Sequence, residues 1–296
     1  MNSPGSLHNS GRNVTSEHGE DGILEKIFEI IGEGNKWCVE LGALNGVHGS
    51  NVWHLIKDLG WSAVLIEADK TYFEKLEQEY TGIKNAYCIN AFVIFEGAQS
   101  LDTILAGTHL PHNFDLFSLD VDGNDYHLWD SLKTFRPRMM LVEFNPSIPN
   151  DIAFVQPRDM NVFQGSSLRA LVELGKRKGY ELVAANESNA FFVLKELFPR
   201  FNIADNSVDA LHTDHRFETN LFQLYDGTLR IAGCDRLIWH NMPIDVEKLQ
   251  VLPPSARRYP AHIDASGGMR TFKYWARKFP LYPMIQRIRK MFIGSL

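Results

Sequence analysis

The chain has 296 residues, 44% of them hydrophobic, and a formal net charge of −6. This composition is that of a globular protein with a large core; no apolar run reaches the roughly 18–20 residues of a membrane span, and the acidic balance argues against nucleic-acid binding. Three scattered cysteines, and a polar start that lacks the apolar centre of a secretory signal, favour a cytoplasmic protein.

Hydrophobic periodicity predicts alternating helices and strands from residue 20 onward. In chain order these are helix 20–31, strand 36–41, helix 50–59, strand 62–66, helix 70–80, strand 86–95, helix 101–106, strand 114–121, helix 126–132 and strand 138–144. An irregular stretch, 145–165, leads to helix 167–178 and to strands 180–185 and 190–194, which flank turn-forming residues. The rhythm predicts an α/β fold: a Rossmann-like, doubly wound sheet of seven strands, mostly parallel, with a terminal antiparallel hairpin.

The same pattern divides the chain into four segments. We expect a disordered lead-in at 1–16, the sheet domain at 17–197, and a C-terminal cap at 198–256 with a hairpin around Asp226-Gly227. The last segment, 257–296, is a tail that combines nine Lys/Arg and a single acid with aromatic residues. Such a tail suits peripheral contact with an anionic membrane; alternatively it docks on the acidic body of this chain or of a second copy.

A glycine turn, Glu40-Leu-Gly-Ala-Leu-Asn-Gly46, ends the first strand. Glycines there let the backbone pass close to a ligand, so Gly42, Ala43 and Gly46 are predicted contacts. The Gly-x-Gly-x-x-Gly spacing that seats a pyrophosphate is absent, which argues against a nucleotide-dependent oxidoreductase. An acid at the strand end suits a cationic, phosphate-free ligand. S-adenosylmethionine, with its ammonium and sulfonium, is such a ligand, and Glu40 would receive the ammonium directly or through water.

A second acid, Glu67, lies at the end of the second strand. It follows Gly42 by 25 residues, which places it to accept the two ribose hydroxyls of a nucleoside. Taken alone, either Glu40 or Glu67 is best interpreted as an ordinary solvated carboxylate at the end of a strand. The presence of both, on consecutive strands, favours a nucleoside ligand. Ala68, Asn90 and Ala91 are the remaining predicted cofactor contacts.

The fourth and fifth strands end in further acids, at the sheet edge where open α/β folds bind ligands. Because side chains alternate along a strand, Asp120 and Asp122 should share one face of the fourth strand, and Glu143 and Asn145 one face of the fifth. All four are predicted catalytic residues, and Asp120 is also a predicted cofactor contact. Two roles stay open: one carboxylate acts as a general base, or Asp120, Glu143 and Asn145 hold Mg²⁺ or Ca²⁺. A third interpretation is that residues 122–125 only build a turn and a helix cap.

Three motifs, in this order, resemble the FkbM-type group of class I S-adenosylmethionine-dependent methyltransferases: Glu40-Leu-Gly-Ala-Leu-Asn-Gly46, Leu65-Ile-Glu-Ala-Asp69 and Phe114-Asp-Leu-Phe-Ser-Leu-Asp-Val-Asp-Gly-Asn-Asp-Tyr126. The similarity covers residues 16–197. The group typically ends its fourth strand in lysine-isoleucine-aspartate-x-glutamate-glycine, where this chain has Ser118-Leu-Asp-Val-Asp-Gly123. The resemblance implies methyl transfer to a hydroxyl oxygen, and it brings a loose analogy to the Asp/Asp/Asn metal sites of some O-methyltransferases.

Two functional hypotheses follow. The first is a methyltransferase that acts on a hydroxyl of a small molecule or glycan, with segment 145–165 as a lid or acceptor-binding loop because of its length. The second is a nucleoside-binding scaffold or regulator that keeps the fold without turnover. The pairing of Asp120 and Asp122 with Glu143 and Asn145 favours the enzyme, because a pure binder needs no acidic cluster beside its cofactor.

Overall fold

The structure, a computed structural model, describes residues 7–259. The chain forms two compact units, which divide between Glu218 and Thr219. Within the described part, no helix combines the length and the apolar character that crossing a bilayer requires. Most of the predicted basic tail, from residue 260 onward, lies outside the described residues, so its membrane contact or self-association stays a prediction.

The first unit contains one seven-stranded sheet flanked by helices. Its strands are β1 (Trp37–Leu41), β2 (Ser62–Glu67), β3 (Ala86–Asn90), β4 (Leu116–Leu119), β5 (Met139–Glu143), β6 (Tyr180–Ala185) and β7 (Asn189–Leu194). Its helices are α1 (Glu20–Ile31), α2 (Trp53–Lys57), α3 (Lys70–Glu79), α4 (Leu101–Ala106), α5 (Asp125–Ser131), α6 (Leu168–Lys178) and α7 (Val208–Leu211).

The strand order is β3-β2-β1-β4-β5-β7-β6. Strands β1 to β5 run parallel, and β7 is antiparallel to both of its neighbours. This confirms the predicted doubly wound α/β sheet with its closing hairpin. Because the parallel strands all end at one edge, the residues that follow β1, β2, β4 and β5 are brought together there.

Two hydrophobic cores cover the two faces of the sheet. In β1, Val39 and Leu41 belong to one core and Cys38 to the other. Side chains of α4, α5 and α6 fill the first core, and those of α1, α2 and α3 the second. The strands read as continuous apolar runs because both faces are buried.

Several elements are shorter than predicted, and the two that lose most residues are α2 and β3. Helix α2 begins at Trp53 and not at residue 50, because Ser50 and Asn51 hydrogen-bond the side chain of Glu40. Strand β3 ends at Asn90 although the apolar run continues; Val93, beyond its end, is buried in the core outside the sheet.

The lead-in differs from its prediction over residues 7–16, which make defined contacts. Leu7 is buried in the second core. The backbone N–H groups of residues 14, 15 and 16 all donate to one carboxylate oxygen of Asp21, at distances of 2.7 to 3.0 Å. Asp21 therefore anchors the segment to α1, and the buried side chain of Leu7 attaches it to the second core.

The second unit contains a hairpin of β8 (Thr219–Gln223) and β9 (Leu229–Gly233), as predicted around Asp226-Gly227. Two short strands, β10 (Arg236–Leu237) and β11 (Met242–Pro243), pair with each other. Residues 198–218, predicted to begin the cap, lie in the first unit. The function of the second unit as a cap stays a prediction.

Candidate active site

The glycine turn after β1 is fixed by close packing against two neighbouring elements. Gly42 has φ +85°, and a Cβ at this position would lie 1.8 Å from the backbone oxygen of Asp120. Gly46 has φ +77°, and its Cβ would lie 2.5 Å from a side-chain carbon of Leu76 in α3. Only glycine avoids both the strained backbone and the overlap. Between them, Ala43 is buried, and its backbone N–H donates to the carbonyl of Ile66 at the end of β2.

Glu40, the last but one residue of β1, is buried beneath this turn. The Ser50 hydroxyl and the Asn51 backbone N–H each donate to one of its carboxylate oxygens at 2.7 Å. Burial raises the pKa of Glu40 to about 7, against the lowering effect of these two hydrogen bonds. Glu40 is therefore divided between its charged and neutral forms near neutral pH, and a nearby cation would favour the charged form.

Glu67, at the end of β2, uses both carboxylate oxygens to hold backbone N–H groups. Oε2 accepts from Leu44, 2.8 Å away, and Oε1 accepts from Asp69 at 2.7 Å. Leu44 lies in the glycine turn with φ +45°, so Glu67 holds a strained residue in place. Each oxygen keeps a second lone pair, which leaves the carboxylate able to accept a ribose hydroxyl.

The other predicted cofactor contacts lie beside Glu67. The side-chain amide of Asn90 donates to the backbone oxygens of Glu67 (2.8 Å) and Ala68 (3.2 Å). The N–H of Ala91 donates to the same Glu67 oxygen at 3.1 Å. The structure thus places the predicted cofactor residues of β1, β2 and β3 along one stretch of the sheet edge.

A second group of acids, Asp120, Asp122 and Glu143, lies at the ends of β4 and β5. One carboxylate oxygen from each lies within 4.8 Å of the others. Asp122 has φ +56°, so strand alternation does not extend to it, and its backbone turns back towards Asp120. These three carboxylate oxygens lie close enough together to hold a metal ion.

Asn145, two residues beyond Glu143, hydrogen-bonds within segment 145–165. Its Nδ2 donates to the carbonyl of Gln164 at 2.7 Å, and its Oδ1 accepts from the N–H and the hydroxyl of Ser147. Strand β5 ends at Glu143, so the alternation that predicted a shared face no longer applies two residues later. The metal set predicted from the sequence, Asp120, Glu143 and Asn145, stays a prediction, and the carboxylate cluster adds Asp122 as a further possible ligand.

The acids of this group differ in protonation. Burial, followed by the charge of Asp122, raises the pKa of Asp120 to about 6. Burial and the charge of Asp120 raise the pKa of Glu143 well above its usual range. The two carboxyl groups hydrogen-bond each other, and the raised pKa of Glu143 favours a proton on Glu143 and the charged form of Asp120.

The turn between β4 and α5 is closed by Asp125, which was one of the alternatives for this run. Its two oxygens accept from the N–H groups of Val121 (3.0 Å) and Gly123 (2.9 Å). Burial raises the pKa of Asp125 to about 8. The turn interpretation holds for Asp125 but does not account for Asp120, whose side chain faces Glu143.

Gln156 attaches segment 145–165 to this turn, a role that no sequence pattern predicted. It is 1% exposed. Its amide nitrogen donates to the Asn124 side chain (2.9 Å) and to the carbonyl of Val162 (3.0 Å). Its amide oxygen accepts from the N–H groups of Gln164 and Gly165. An isolated glutamine in an irregular stretch gives no sequence signal of such a role.

Glu20, Asn186 and Asn189 form a buried polar link beside Glu143. Both asparagines donate to the same oxygen of Glu20, at 2.6 and 3.0 Å. Asn189 pairs directly with Glu143 across the sheet. Among residues 7–259, the buried Oδ1 of Asn189 has no hydrogen-bond partner, which points to a water or ligand donor at this position. The sequence marked Asn186 and Asn189 only as turn formers.

The whole sheet edge carries uncompensated negative charge. Within the described part of the chain, none of its acids forms an ion pair with a Lys, Arg or His: Glu20, Glu40, Glu67, Asp120, Asp122, Asp125 and Glu143. Buried acids are normally paired or neutralised. The raised pKa values of Glu40, Asp125 and Glu143 favour the neutral forms of these acids. Asp122 is exposed to solvent, and a bound cation would compensate the remaining acids.

The strand order and the antiparallel β7 define an α/β Rossmann-like fold of the methyltransferase type. No family model matches the chain, and a comparison with curated protein sequences gives no match. Among solved structures, the chain is similar to the N-terminal domain of EvdMO1 with SAH bound (13% identity over 59% of this chain and 79% of that one, TM-score 0.39).

Two further solved structures show the same level of similarity. One is the O-methyltransferase from Bacillus cereus in complex with SAH (19% identity, 58% and 78% of the chains, TM-score 0.39). The other is an S-adenosylmethionine-dependent methyltransferase from Clostridium acetobutylicum (10% identity, 59% and 90%, TM-score 0.37). At these identities the likeness concerns the fold, and it assigns no substrate and no residue.

Proposed function

We propose that this protein is an S-adenosylmethionine-dependent methyltransferase that methylates a hydroxyl oxygen of a small molecule or glycan. The observation that carries the proposal is the row of acids at the ends of β1, β2, β4 and β5 without a cationic partner among residues 7–259. The finer assignment to the FkbM type rests on the three sequence motifs. The cytoplasmic location that we propose rests on the pattern of three scattered cysteines.

The cofactor fits the residues of the first three strands. Glu40 is buried and half-neutral near pH 7, so an ammonium group beside it would restore its charge and gain a charge-assisted hydrogen bond. Glu67 keeps acceptor capacity for two ribose hydroxyls. Gly42 and Gly46 have no side chains, so only backbone atoms are present at these two positions of the turn.

The chemistry divides between cofactor and protein. S-adenosylmethionine supplies, when bound, an activated methyl group, and it keeps the electron pair of the broken carbon–sulfur bond. Asp120 accepts the proton that the acceptor hydroxyl loses, since it is the charged member of the Asp120–Glu143 pair. Glu143 orients Asp120 through the proton that they share.

A metal ion on Asp120, Asp122 and Glu143 is the alternative way to lower the pKa of the acceptor hydroxyl. It would have to expel the proton from Glu143. Titration of activity with EDTA and then with Mg²⁺ or Ca²⁺ separates the two routes. We expect an activity indifferent to EDTA; a loss that Mg²⁺ or Ca²⁺ restores would replace the general-base mechanism with the metal mechanism.

Calorimetry with S-adenosylmethionine, S-adenosylhomocysteine and NAD tests the proposed function. We expect the first two to bind and NAD not to bind. Absence of binding by the first two overturns the proposal. The scaffold hypothesis also predicts cofactor binding, so it needs a second measurement. Formation of S-adenosylhomocysteine with a panel of hydroxyl compounds supports the enzyme, whereas binding without any turnover favours the scaffold.

A further inference from the structure

A cleft of about 460 Å³ opens beside the turn that joins β6 to β7. It is lined by His18, Asn186, Glu187, Thr213, Asp214 and Arg216. Clefts of this size hold small organic molecules. The cofactor and proton-transfer roles described above use none of these six side chains, so the cleft is a separate feature of the first unit.

The cleft borders the group of acids at the ends of β4 and β5. The turn beside it leads into Asn189, which pairs with Glu143 at the end of β5. Asn186, which lines the cleft, donates to Glu20 at 2.6 Å, and the charge of Glu20 acts on Asp120. Cleft and acids therefore occupy the same edge of the sheet, where an acceptor must reach Asp120.

Arg216 is held on one side of the cleft by two carboxylates. Its Nε contacts both oxygens of Asp214 at 2.9 Å, and its Nη2 contacts Asp214 at 2.6 Å and Glu187 at 2.8 Å. Its Nη1 has no hydrogen-bond partner among residues 7–259, so two N–H donors are left for a ligand. With two carboxylates around one guanidinium the local charge is negative, and an anionic ligand is disfavoured.

The remaining polar groups select a ligand that both donates and accepts hydrogen bonds. Arg216 Nη1 requires an acceptor, whereas Glu187 and Asp214 require donors. An ammonium group only donates, so it could pair with the carboxylates but would gain nothing from Nη1, which would keep its contact with water. A carboxylate only accepts and would face two like charges. Hydroxyl groups satisfy both requirements, and neighbouring hydroxyls on one ring satisfy them together.

We propose that this cleft is the acceptor subsite, and that it binds an uncharged polyhydroxyl compound such as a sugar ring. Arg216 donates to one ring hydroxyl through Nη1, and Glu187 and Asp214 accept from neighbouring hydroxyls. The inference rests on the methyltransferase function proposed above and narrows its acceptor to a neutral, hydroxyl-rich molecule.

Saturation-transfer NMR on the full chain tests the proposal. The probes are the methyl glycosides of glucose, galactose and mannose, with glucosamine as the cationic and glucuronate as the anionic counterpart. We expect saturable binding of at least one neutral glycoside, and weaker binding of both charged sugars. Arg216→Ala is expected to lower the affinity for the neutral glycoside by about tenfold or more, which is the range for loss of a hydrogen bond to a charged group.

Arg136→Ala is the matched control, because Arg136 is also an exposed arginine held by a carboxylate, that of Glu196, away from the cleft. It should leave glycoside binding unchanged. Thr213→Val removes one hydroxyl from the cleft and serves as a milder second variant. We expect it to lower the affinity for the glycoside severalfold. S-adenosylhomocysteine affinity, measured on the same preparations, reports whether each variant is folded.

Three results overturn the inference alone: S-adenosylhomocysteine binds but no neutral glycoside does, a charged sugar binds more tightly, or neither cleft variant weakens binding. Failure of the wild-type chain to bind S-adenosylhomocysteine is a different outcome. It overturns the proposed function and, with it, the assignment of the cleft to an acceptor.

Discussion

Glu143 at the end of β5 hydrogen-bonds the carboxylate of Asp120 at the end of β4, and burial keeps the proton on Glu143. Two carboxyl groups in contact oppose each other's ionisation, so the pair titrates as a unit. The pair therefore offers one carboxylate that can accept a proton at neutral pH, and this determines how activity should depend on pH and on the two residues.

The first prediction concerns the pH profile. The pKa of Asp120 is raised to about 6, so the base form exists above this pH and is lost as the pH falls through it. We expect the rate of S-adenosylhomocysteine formation to fall about tenfold per pH unit below pH 6. Asp120→Asn should lower the rate by about 100-fold or more. Glu143→Gln keeps a neutral donor to Asp120 and should stay close to wild type.

Comparing the rates of Asp120→Asn and Glu143→Gln tests whether Glu143 acts in its protonated form. If Glu143→Gln were as damaging as Asp120→Asn, Glu143 would have to act as a charged group, as a metal ligand does. That outcome would contradict the proton assignment and favour the metal site.

The second prediction links Glu40 to stability. Its pKa is raised from 4.5 to about 7 in the folded chain, so its contribution to stability is complete below about pH 4.5 and is lost as the pH rises through 7. Glu40→Gln should therefore gain stability relative to wild type between pH 5 and pH 8, by at most about 3 kcal/mol. Urea unfolding at both pH values measures this gain. A difference between the two proteins that is the same at both pH values would refute it.

The third prediction concerns Glu67. Glutamine has a single acceptor oxygen, so Glu67→Gln loses either the bond to the Leu44 N–H or the bond to Asp69, together with acceptor capacity for the ribose. We expect S-adenosylhomocysteine to bind about tenfold more weakly, or worse, by calorimetry. Glu74→Gln, on the exposed face of α3, is the control and should not alter the affinity. Equal affinity in both variants would exclude Glu67 from the cofactor site.

The fourth prediction separates steric overlap from backbone strain at Gly42. Gly60 has a similar positive φ, +70° against +85°, but nothing lies within 4 Å of its added Cβ. Gly60→Ala should cost about 1 kcal/mol from conformation alone. Gly42→Ala should cost roughly 2 kcal/mol more, because its Cβ would overlap the backbone of Asp120. Urea unfolding compares them, and equal losses would show that the turn moves away freely.

The fifth prediction concerns the attachment of segment 145–165. Gln156→Ala removes four hydrogen bonds, of which the one to the Asn124 side chain is buried and the other three are partly buried. We expect a loss of about 1–3 kcal/mol in unfolding free energy together with faster proteolysis within the segment. Gln164→Ala, an exposed glutamine of the same segment, should have little effect. Unchanged proteolysis in Gln156→Ala would mean that other contacts hold the segment.

The seven strands and the acids at their ends follow from the sequence by itself. Strands β1, β2 and β5 are short apolar runs, which is what burial on both faces of a parallel sheet requires. Glu40, Glu67 and Glu143 interrupt those runs at their ends, so the sequence identified them as edge residues. Because parallel strands end at one edge, this local pattern was enough to bring the acids together.

Only the tertiary structure decided what each acid contacts. Glu20 binds Asn189, 169 residues away, and Glu40 binds Ser50 and Asn51 across the glycine turn. Strand β5 ends at Glu143, and Asp122 has a positive φ, so alternation along a strand could not show where the side chains of Asp122 and Asn145 lie. Periodicity reports which side of a strand is buried, a property of a few neighbouring residues. Hydrogen-bond partners and protonation depend on groups that only folding brings within a few ångströms.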